Sequence, residues 1–377
     1  MLIKNVRIIS PDVDLPGASI EIEGRVIRNI HTGDRLPDAE TVHDARGAMA
    51  LPGFIDLHIH GALGHDVTDG THEAVEKIAE SKLKEGVTTF CPTTLTLPEA
   101  DLARAMEAVA SYRKCPTWAK VAGVHLEGPF LSREYMGAQN PAHVRAPDMD
   151  EILRLNAITK VAIVTFAIEA EGGLEMVESL RGAGIVPSCG HSGATYEQFR
   201  QAMDRGLKHL THFCNQMSPL HHREIGLVGA GLLDDDILIE MICDRHHLCP
   251  EMIRLAFKLK AHEKIALVAD AVCAAGLDDG TYTLGGLEVL LEGGVVRLKG
   301  SDNLAGSTLR LNKALKNVHE VTGLPLMKIV RTTSLNQAES LGLEKLGRIE
   351  AGYLADIVIL DKDFNVRDVY VEGTKRI

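Results

Sequence analysis

The chain predicts an α/β fold: a (β/α)8 TIM-type barrel with a small β-sandwich domain formed from both chain ends. Three observations predict it. Short alternating strand patterns occupy roughly the first fifty and last thirty residues, apolar runs alternate with helical patterns between them, and polar side chains with chemical capability stand where several of those runs end.

At the amino end, residues 2–9, 19–23 and 26–30 read as strands separated by Gly and Pro turns, and at the carboxyl end 347–349, 355–360 and 366–372 read the same way. Two β segments at opposite ends pair most simply into one small sheet domain, which gives a division into 1–51 with 345–377 and a barrel over 52–344. Within the middle, apolar runs at 54–59, 87–91, 121–126, 161–167, 185–189, 209–213, 238–243 and 265–269 make eight strands. Helical patterns such as 73–83, 99–111, 196–205 and 250–260 lie between them, as repeated βα units require. No Gly-x-Gly-x-x-Gly turn follows the first run, which removes the usual ligand signature of an open doubly wound sheet. The segment 280–298 reads as a β-hairpin, inserted over about 280–300.

Composition narrows the function. A chain of 377 residues with 45% hydrophobic content can bury a full core. Its formal net charge of -12, from 52 acidic and 40 basic residues, leaves no general basic field for nucleic acid, so any phosphate must be met locally. The opening Met1-Leu2-Ile3-Lys4-Asn5-Val6 lacks the apolar core of a signal peptide and no run is long enough to span a bilayer, so a cytoplasmic protein with no membrane partner is expected. Seven cysteines at irregular spacing suit reduced thiols better than a disulfide framework.

The strand ends carry the chemistry. In His58-Ile59-His60-Gly61 the two imidazoles are two apart on a strand, so both can face the barrel mouth and bind one metal ion. Glu127 closes the third run, His191 the fifth, His212 the sixth and Asp270 the eighth. Singly, each has a bland reading: a solvated histidine, a Glu paired with an arginine, an Asp capping a helix. Together they make a set of imidazoles and carboxylates with the composition of a catalytic metal site. No cysteine has an activating base nearby in the pattern, and Ser192 lies outside any Gly-x-Ser-x-Gly elbow.

The run Pro52-Gly53-Phe54-Ile55-Asp56-Leu57-His58-Ile59-His60-Gly61 resembles the opening strand of the amidohydrolase superfamily. Further motifs resemble the N-acetylglucosamine-6-phosphate deacetylase family within it: His125-Leu126-Glu127-Gly128-Pro129-Phe130, Gly190-His191-Ser192-Gly193-Ala194-Thr195, Thr211-His212-Phe213-Cys214-Asn215-Gln216-Met217 and Leu304-Ala305-Gly306-Ser307. The resemblance runs nearly end to end and includes Gly352-Tyr353-Leu354-Ala355-Asp356. It implies metal-dependent hydrolysis of the acetamide of N-acetylglucosamine 6-phosphate, in amino sugar catabolism. It implies that Glu127, His191 and His212 bind a main divalent metal, Zn or Fe(II), that His58 and His60 complete a second site, and that Asp270 is the acid/base. Substrate contacts implied in the same way are Ala138, Gln139, Asn215, Gln216, Arg223, His247, Leu304 and Ala305, some reaching across a homodimer.

The chain also departs from that pattern. Gln139 stands where the family often has His, Ile168 where relatives have Pro, and Gly193 and Ile225 replace a common Asn and Pro. These changes bear on the sugar more than on the reaction and keep an N-acetylgalactosamine 6-phosphate deacetylase in view. A cyclic amidase of the dihydroorotase or hydantoinase kind would close its fourth strand with a bridging Lys; here that strand closes Thr165-Phe166-Ala167, and Lys160 stands at its beginning. A non-catalytic relative usually loses ligands or the Asp, and this chain retains the whole set.

Overall fold

The computed structural model describes residues 1–33 and 36–377. Its centre is a parallel barrel of eight strands in chain order: Phe54–Ile59, Val87–Thr94, Val124–Glu127, Val161–Phe166, Val186–Cys189, His209–Leu210, Leu238–Met241 and Ile265–Leu267. The eighth strand returns to the first where Asp270 N donates to His58 O at 2.8 Å and His60 N to Ala271 O at 2.9 Å. Along the first strand, Leu57 and Ile59 join the main apolar cluster of the molecule, while His58 and His60 meet other polar side chains. This is the period of two that puts alternate residues on opposite faces of a strand.

Several runs are shorter than their apolar pattern. The sixth strand stops at Leu210 rather than at residue 213 because His212 takes a left-handed backbone (φ 34°), which cannot continue a ladder. The third is interrupted: Lys120–Val121 pairs with the second strand, and pairing resumes at Val124–Glu127. Between them, a Cβ on Gly123 would stand 2.8 Å from Ala162 Cβ, so the third and fourth strands approach too closely there for a side chain. The helices His72–Leu83, Glu99–Lys114, Tyr196–Arg205 and Pro250–Leu259 fall where the periodicity puts them.

Both chain ends contribute to one eight-stranded sheet. Its junction is Met49–Pro52 lying antiparallel to Ile357–Leu360, with Leu2–Ser10 on the other side. The sheet curls over its own apolar filling, which includes Ile3, Ile8, Ile20, Ile27, Ile357 and Ile359, and a bridge between Val26 and Leu354 brings its flanks together. Residues 347–349, expected as a strand, are not one. Gly347 turns at φ 84° with its Cα side against the backbone of Leu335, and Ile349 N donates to the Ser10 hydroxyl at 3.0 Å instead of to a neighbouring strand.

The insert is a three-stranded meander rather than a hairpin: Gly280–Leu284, Leu287–Glu292 and Val295–Leu298. Leu284, Val289, Leu291 and Val296 pack with Leu95, Val272 and Ala305, which ties the insert to segments leaving the second and eighth strands. No helix among the described residues is long and apolar enough to cross a membrane.

Gly86 marks the junction between sheet and barrel: it sits at φ 90°, and a Cβ there would lie 2.7 Å from Val358 and 3.2 Å from the Phe54 ring. Gly86→Ala therefore combines left-handed strain with overpacking and is expected to lower unfolding free energy by about 2 kcal/mol or more. Urea denaturation followed by circular dichroism measures it, and an unchanged midpoint would contradict this account of the junction.

Candidate metal-dependent active site

Five of the eight barrel strands send a polar side chain to one mouth. Two ligand sets overlap there, His58 with His60 and Glu127, and Glu127 with His191 and His212; in each, the candidate ligand atoms lie within 4.8 Å of one another. Glu127 is common to both. Its Oε1 stands 3.0 Å from His212 Nε2, 3.3 Å from His191 Nε2 and 3.4 Å from His58 Nε2, and its Oε2 stands 3.3 Å from His60 Nε2. Asp270 Oδ1 lies 3.3 Å from His60 Nε2 and 3.4 Å from His58 Nε2.

All six side chains are buried, which makes their unmet polarity informative. Glu127 Oε1 has no hydrogen-bond partner among the described residues although it is sealed from solvent. The Nε2 atoms of His58 and His60 are 3.1 Å apart and those of His191 and His212 3.0 Å apart. His191 Nδ1 donates to the carbonyl of Tyr135 at 2.8 Å, which leaves Nε2 as a lone-pair donor toward the centre. Four imidazole nitrogens and a carboxylate converging on one space suit a divalent cation of borderline softness such as Zn2+ or Fe2+.

The electrostatics say the same. Burial disfavours a charged His60, yet hydrogen bonds to Asp270 and Glu127 outweigh it and push its pKa up to about 10. Burial likewise works against the Glu127 carboxylate, and the surrounding imidazoles, His58 first, hold it well below the usual range. Asp270 is lowered for a similar reason, burial being overcome by His58 and His60. A proton on His60 is thus favoured by the two carboxylates that face it.

Backbone strain accompanies this geometry. His191 (φ 49°), His212 (φ 34°) and Asp270 (φ 49°) are all left-handed, a conformation that costs a non-glycine residue about 1–2 kcal/mol. Each occurs where a strand ends and the chain turns toward the next helix or loop. The kink redirects the side chain into the mouth.

A cleft of about 230 Å3 opens over the centre. Of the residues singled out from sequence, Ala138, Gln139, Asn215, Gln216, His247 and Leu304 line it. Gln139 is held at both ends: its Oε1 accepts from Thr96 N at 2.8 Å and its Nε2 donates to Glu127 Oε2 at 2.5 Å. His247 Nδ1 contacts Asp244 Oδ2 at 2.7 Å. Asn215 Nδ2 donates to the carbonyls of His212 and Phe213, which braces the turn bearing His212.

Two expected contacts do not line this cleft. Ala305 is fully buried in the apolar cluster of the insert, and its N–H donates to Val296 O, so Leu304 and Gly306 on either side of it face the cleft instead. Arg223 is exposed, with Nη1 2.7 Å from His222 Nε2. Lys160 precedes the fourth strand and is exposed, so no lysine closes that strand.

Other cleft residues escaped sequence reading. Leu95, Val272 and Leu284 form apolar lining, and Asp302 and Asn303 stand beside Leu304. Leu95 directly follows the second strand only because that strand runs on to Thr94, past the apolar run ending at residue 91, and Val272 stands two residues beyond Asp270; Asp302 and Asn303 carried no signal beyond their adjacency to a motif.

A barrel with overlapping His and Glu ligand sets at one mouth, and a carboxylate beside them, defines a metal-dependent barrel hydrolase. The chain belongs to the amidohydrolase family, whose model matches residues 49–375. It is 38% identical over 344 residues to an N-acetylgalactosamine-6-phosphate deacetylase of Escherichia coli O157:H7, covering 90% of each chain. It is 37% identical over 338 residues to an N-acetylglucosamine-6-phosphate deacetylase of Lysinibacillus sphaericus, covering 89% of this chain and 87% of the relative. Among solved structures it superposes with a TM-score of 0.94, at 32% identity over 100% of this chain and 99% of the other, on an aspartate-to-alanine variant of N-acetyl-D-glucosamine-6-phosphate deacetylase from Mycobacterium smegmatis in complex with N-acetyl-D-glucosamine-6-phosphate.

Because His60 is protonated below about pH 10 in the metal-free protein, metal uptake at pH 7 must expel protons. Calorimetric titration with Zn2+ in buffers of different ionisation enthalpy is expected to show net proton release, with affinity falling as pH falls. The sign for stability follows from the same raised pKa. His60 contributes fully to the metal-free fold below its unfolded value of about 6.5 and loses that contribution as pH rises through about 10. Buffer-independent heats would contradict the assignment.

Proposed function

We propose that this chain hydrolyses the acetamide of N-acetylglucosamine 6-phosphate, releasing acetate and glucosamine 6-phosphate in amino sugar catabolism. The observation that carries the reading is the Asp270 carboxylate, 3.3 Å from His60 Nε2 beside two ligand sets that share Glu127, in the same cleft as His247, Asn215 and Gln216. Likeness over nearly the whole chain to deacetylases of phosphorylated amino sugars supports the substrate class.

Glu127, His191 and His212 would hold the main cation, with His58 and His60 completing a second position around the shared carboxylate. Bound there, Zn2+ or Fe2+ supplies Lewis acidity toward the acetyl carbonyl and acidifies water. The rest falls to the chain's own groups. Asp270, held as a carboxylate, takes the proton from the attacking water and returns it to the departing amine nitrogen. Gln139 can only donate toward the centre, since Thr96 N occupies its oxygen; it is a neutral donor where the family often has an imidazole. Leu95, Val272 and Leu284 supply an apolar wall suited to the acetyl methyl.

The phosphate dianion calls for positive charge that a chain of net charge -12 provides only locally. His247 lies in the cleft, and we assign the remaining contact to Arg223 of the partner subunit in a homodimer, consistent with the exposed position of that arginine in its own chain. In the same reading, residues 1–51 with 345–377 form the small β domain and 52–344 the catalytic barrel. A galactosamine substrate is the second reading, carried by one observation: relatives named for the two sugars match this chain almost equally, at 38% and 37% identity.

Acetate release should be measured for both N-acetylhexosamine 6-phosphates and their unphosphorylated forms. Turnover is expected only with phosphate present, and Asp270→Asn is expected to reduce kcat about 10²- to 10⁴-fold, the usual worth of general acid-base catalysis. No acetate from any of the four would overturn the reading. The crossed contact has its own test. An Arg223→Ala chain and an Asp270→Asn chain, each impaired alone, are expected to regain activity when refolded together, because one mixed site then has both groups. Absence of complementation in a verified heterodimer would return Arg223 to a surface role.

A further inference from the structure

The buried interior behind the centre holds a carboxylate that the mechanism does not use. Glu240, on the seventh strand Leu238–Met241, is completely buried, with Oε1 3.3 Å from His209 Nδ1 and Oε2 3.6 Å from His58 Nδ1. Glu240 Oε2 and His58 Nδ1 both lack a hydrogen-bond partner among the described residues, although both are sealed from water. Two unmet atoms of complementary character, 3.6 Å apart, are matched partners waiting on a small shift.

The neighbours leave no competitor. His125 packs edge-on against His58 at 4.7 Å between ring centroids, but its Nδ1 contacts Leu57 O at 2.9 Å and its Nε2 contacts Thr165 Oγ1 at 2.7 Å. On its other edge, His58 Nε2 faces Glu127 and Asp270. His58 thus has a carboxylate behind the nitrogen opposite its ligand atom. His191 has a backbone carbonyl in that place, and the Nδ1 atoms of His60 and His212 have no partner among the described residues.

We propose that Glu240 is a positioning residue that locks His58 with its proton on Nδ1 and its Nε2 lone pair toward the cleft, and so sets the cation affinity of the His58–His60 position selectively. A carboxylate behind a ligating imidazole fixes its tautomer and raises its basicity, and loss of such a partner costs about 10- to 100-fold in metal affinity. The inference rests on the two-position reading of the centre and is independent of which amide is cleaved.

The test is titration of metal-free protein with Co2+, read by absorption in the visible and by metal content per chain, for the natural sequence, Glu240→Gln and His209→Gln. The natural sequence is expected to take two equivalents. Glu240→Gln should take the first unchanged and the second about 10- to 100-fold more weakly, and His209→Gln should leave both near normal. Equal weakening of both equivalents in Glu240→Gln, or the same loss in His209→Gln, would make Glu240 a structural ion-pair partner and overturn the proposal. Uptake of a single equivalent by the natural sequence would overturn it together with the two-position reading, whereas two equivalents left unmoved by Glu240→Gln would sink the proposal alone. Should Glu240→Gln not fold, long-range proton–nitrogen NMR of the Zn2+-loaded natural sequence still decides: a proton on His58 Nδ1 supports the proposal, and a proton on Nε2 refutes it.

Discussion

One buried carboxylate organises the centre. Glu127 has no solvent to satisfy it, so its two oxygens must be answered by the groups around them, and those groups are imidazoles from the first, fifth and sixth strands and the Gln139 amide. Desolvating a carboxylate in this way is costly unless the charge is met. Placing it at the end of the third strand, among imidazoles that can carry protons or a cation, is what makes the arrangement tolerable. Because it belongs to both ligand sets, any shift of the third strand moves both.

The barrel beneath is correspondingly unlike an ordinary apolar core. Beside the large apolar cluster, the interior holds a chain of contacts from His125 through the Thr165 and Thr211 hydroxyls to Ser188, and, separately, Glu240 against His209 and His58. Asp56 shows how the polar interior is used mechanically. Its Oδ1 accepts from His58 N at 3.3 Å and Ala269 N at 3.2 Å, so one carboxylate spans the seam where the eighth strand returns to the first. Burial pushes its pKa up to about 6 against the pull of Lys82, itself fully buried and bonded to Glu85 at 2.7 Å. The seam that closes the barrel thus runs through the backbone of His58 and Asp270, so the contacts that close the barrel also place two site residues.

Much of this was legible in the sequence, for definite reasons. Strand ends in a parallel barrel are functional positions, so a polar residue closing an apolar run is a strong signal, and His58, His60, Glu127, His191, His212 and Asp270 do converge. The centres of the strands were legible for the same periodic reason, and their lengths were not. Whether His212 ends a ladder depends on a left-handed φ that apolar patterning does not encode. Residues 347–349 looked like one more of the short strands at the carboxyl end, yet the close approach of Gly347 to Leu335 decides the path. Asp302 and Asn303 reach the cleft only because the insert folds as a three-stranded unit packed on Leu95 and Val272. Ala305 shows the converse, a motif residue whose side chain serves the packing of that unit while its neighbours face the cleft.

The sheet shared by the two chain ends also has a temporal meaning. During synthesis, Leu2–Ser10, Val13–Glu23, Val26–Thr32 and Met49–Pro52 leave the ribosome long before Ile357–Leu360, the strand that pairs with the free edge of Met49–Pro52. At about 5–20 residues per second, that edge waits on the order of tens of seconds, with fully buried Ala50 and Leu51 of the finished molecule still lacking their cover. The nascent chain therefore carries an open, sticky strand until Ile357–Leu360 has emerged to cover it. Shielding of that early edge until Ile357–Leu360 arrives is a condition of productive folding separate from the equilibrium stability of the finished molecule.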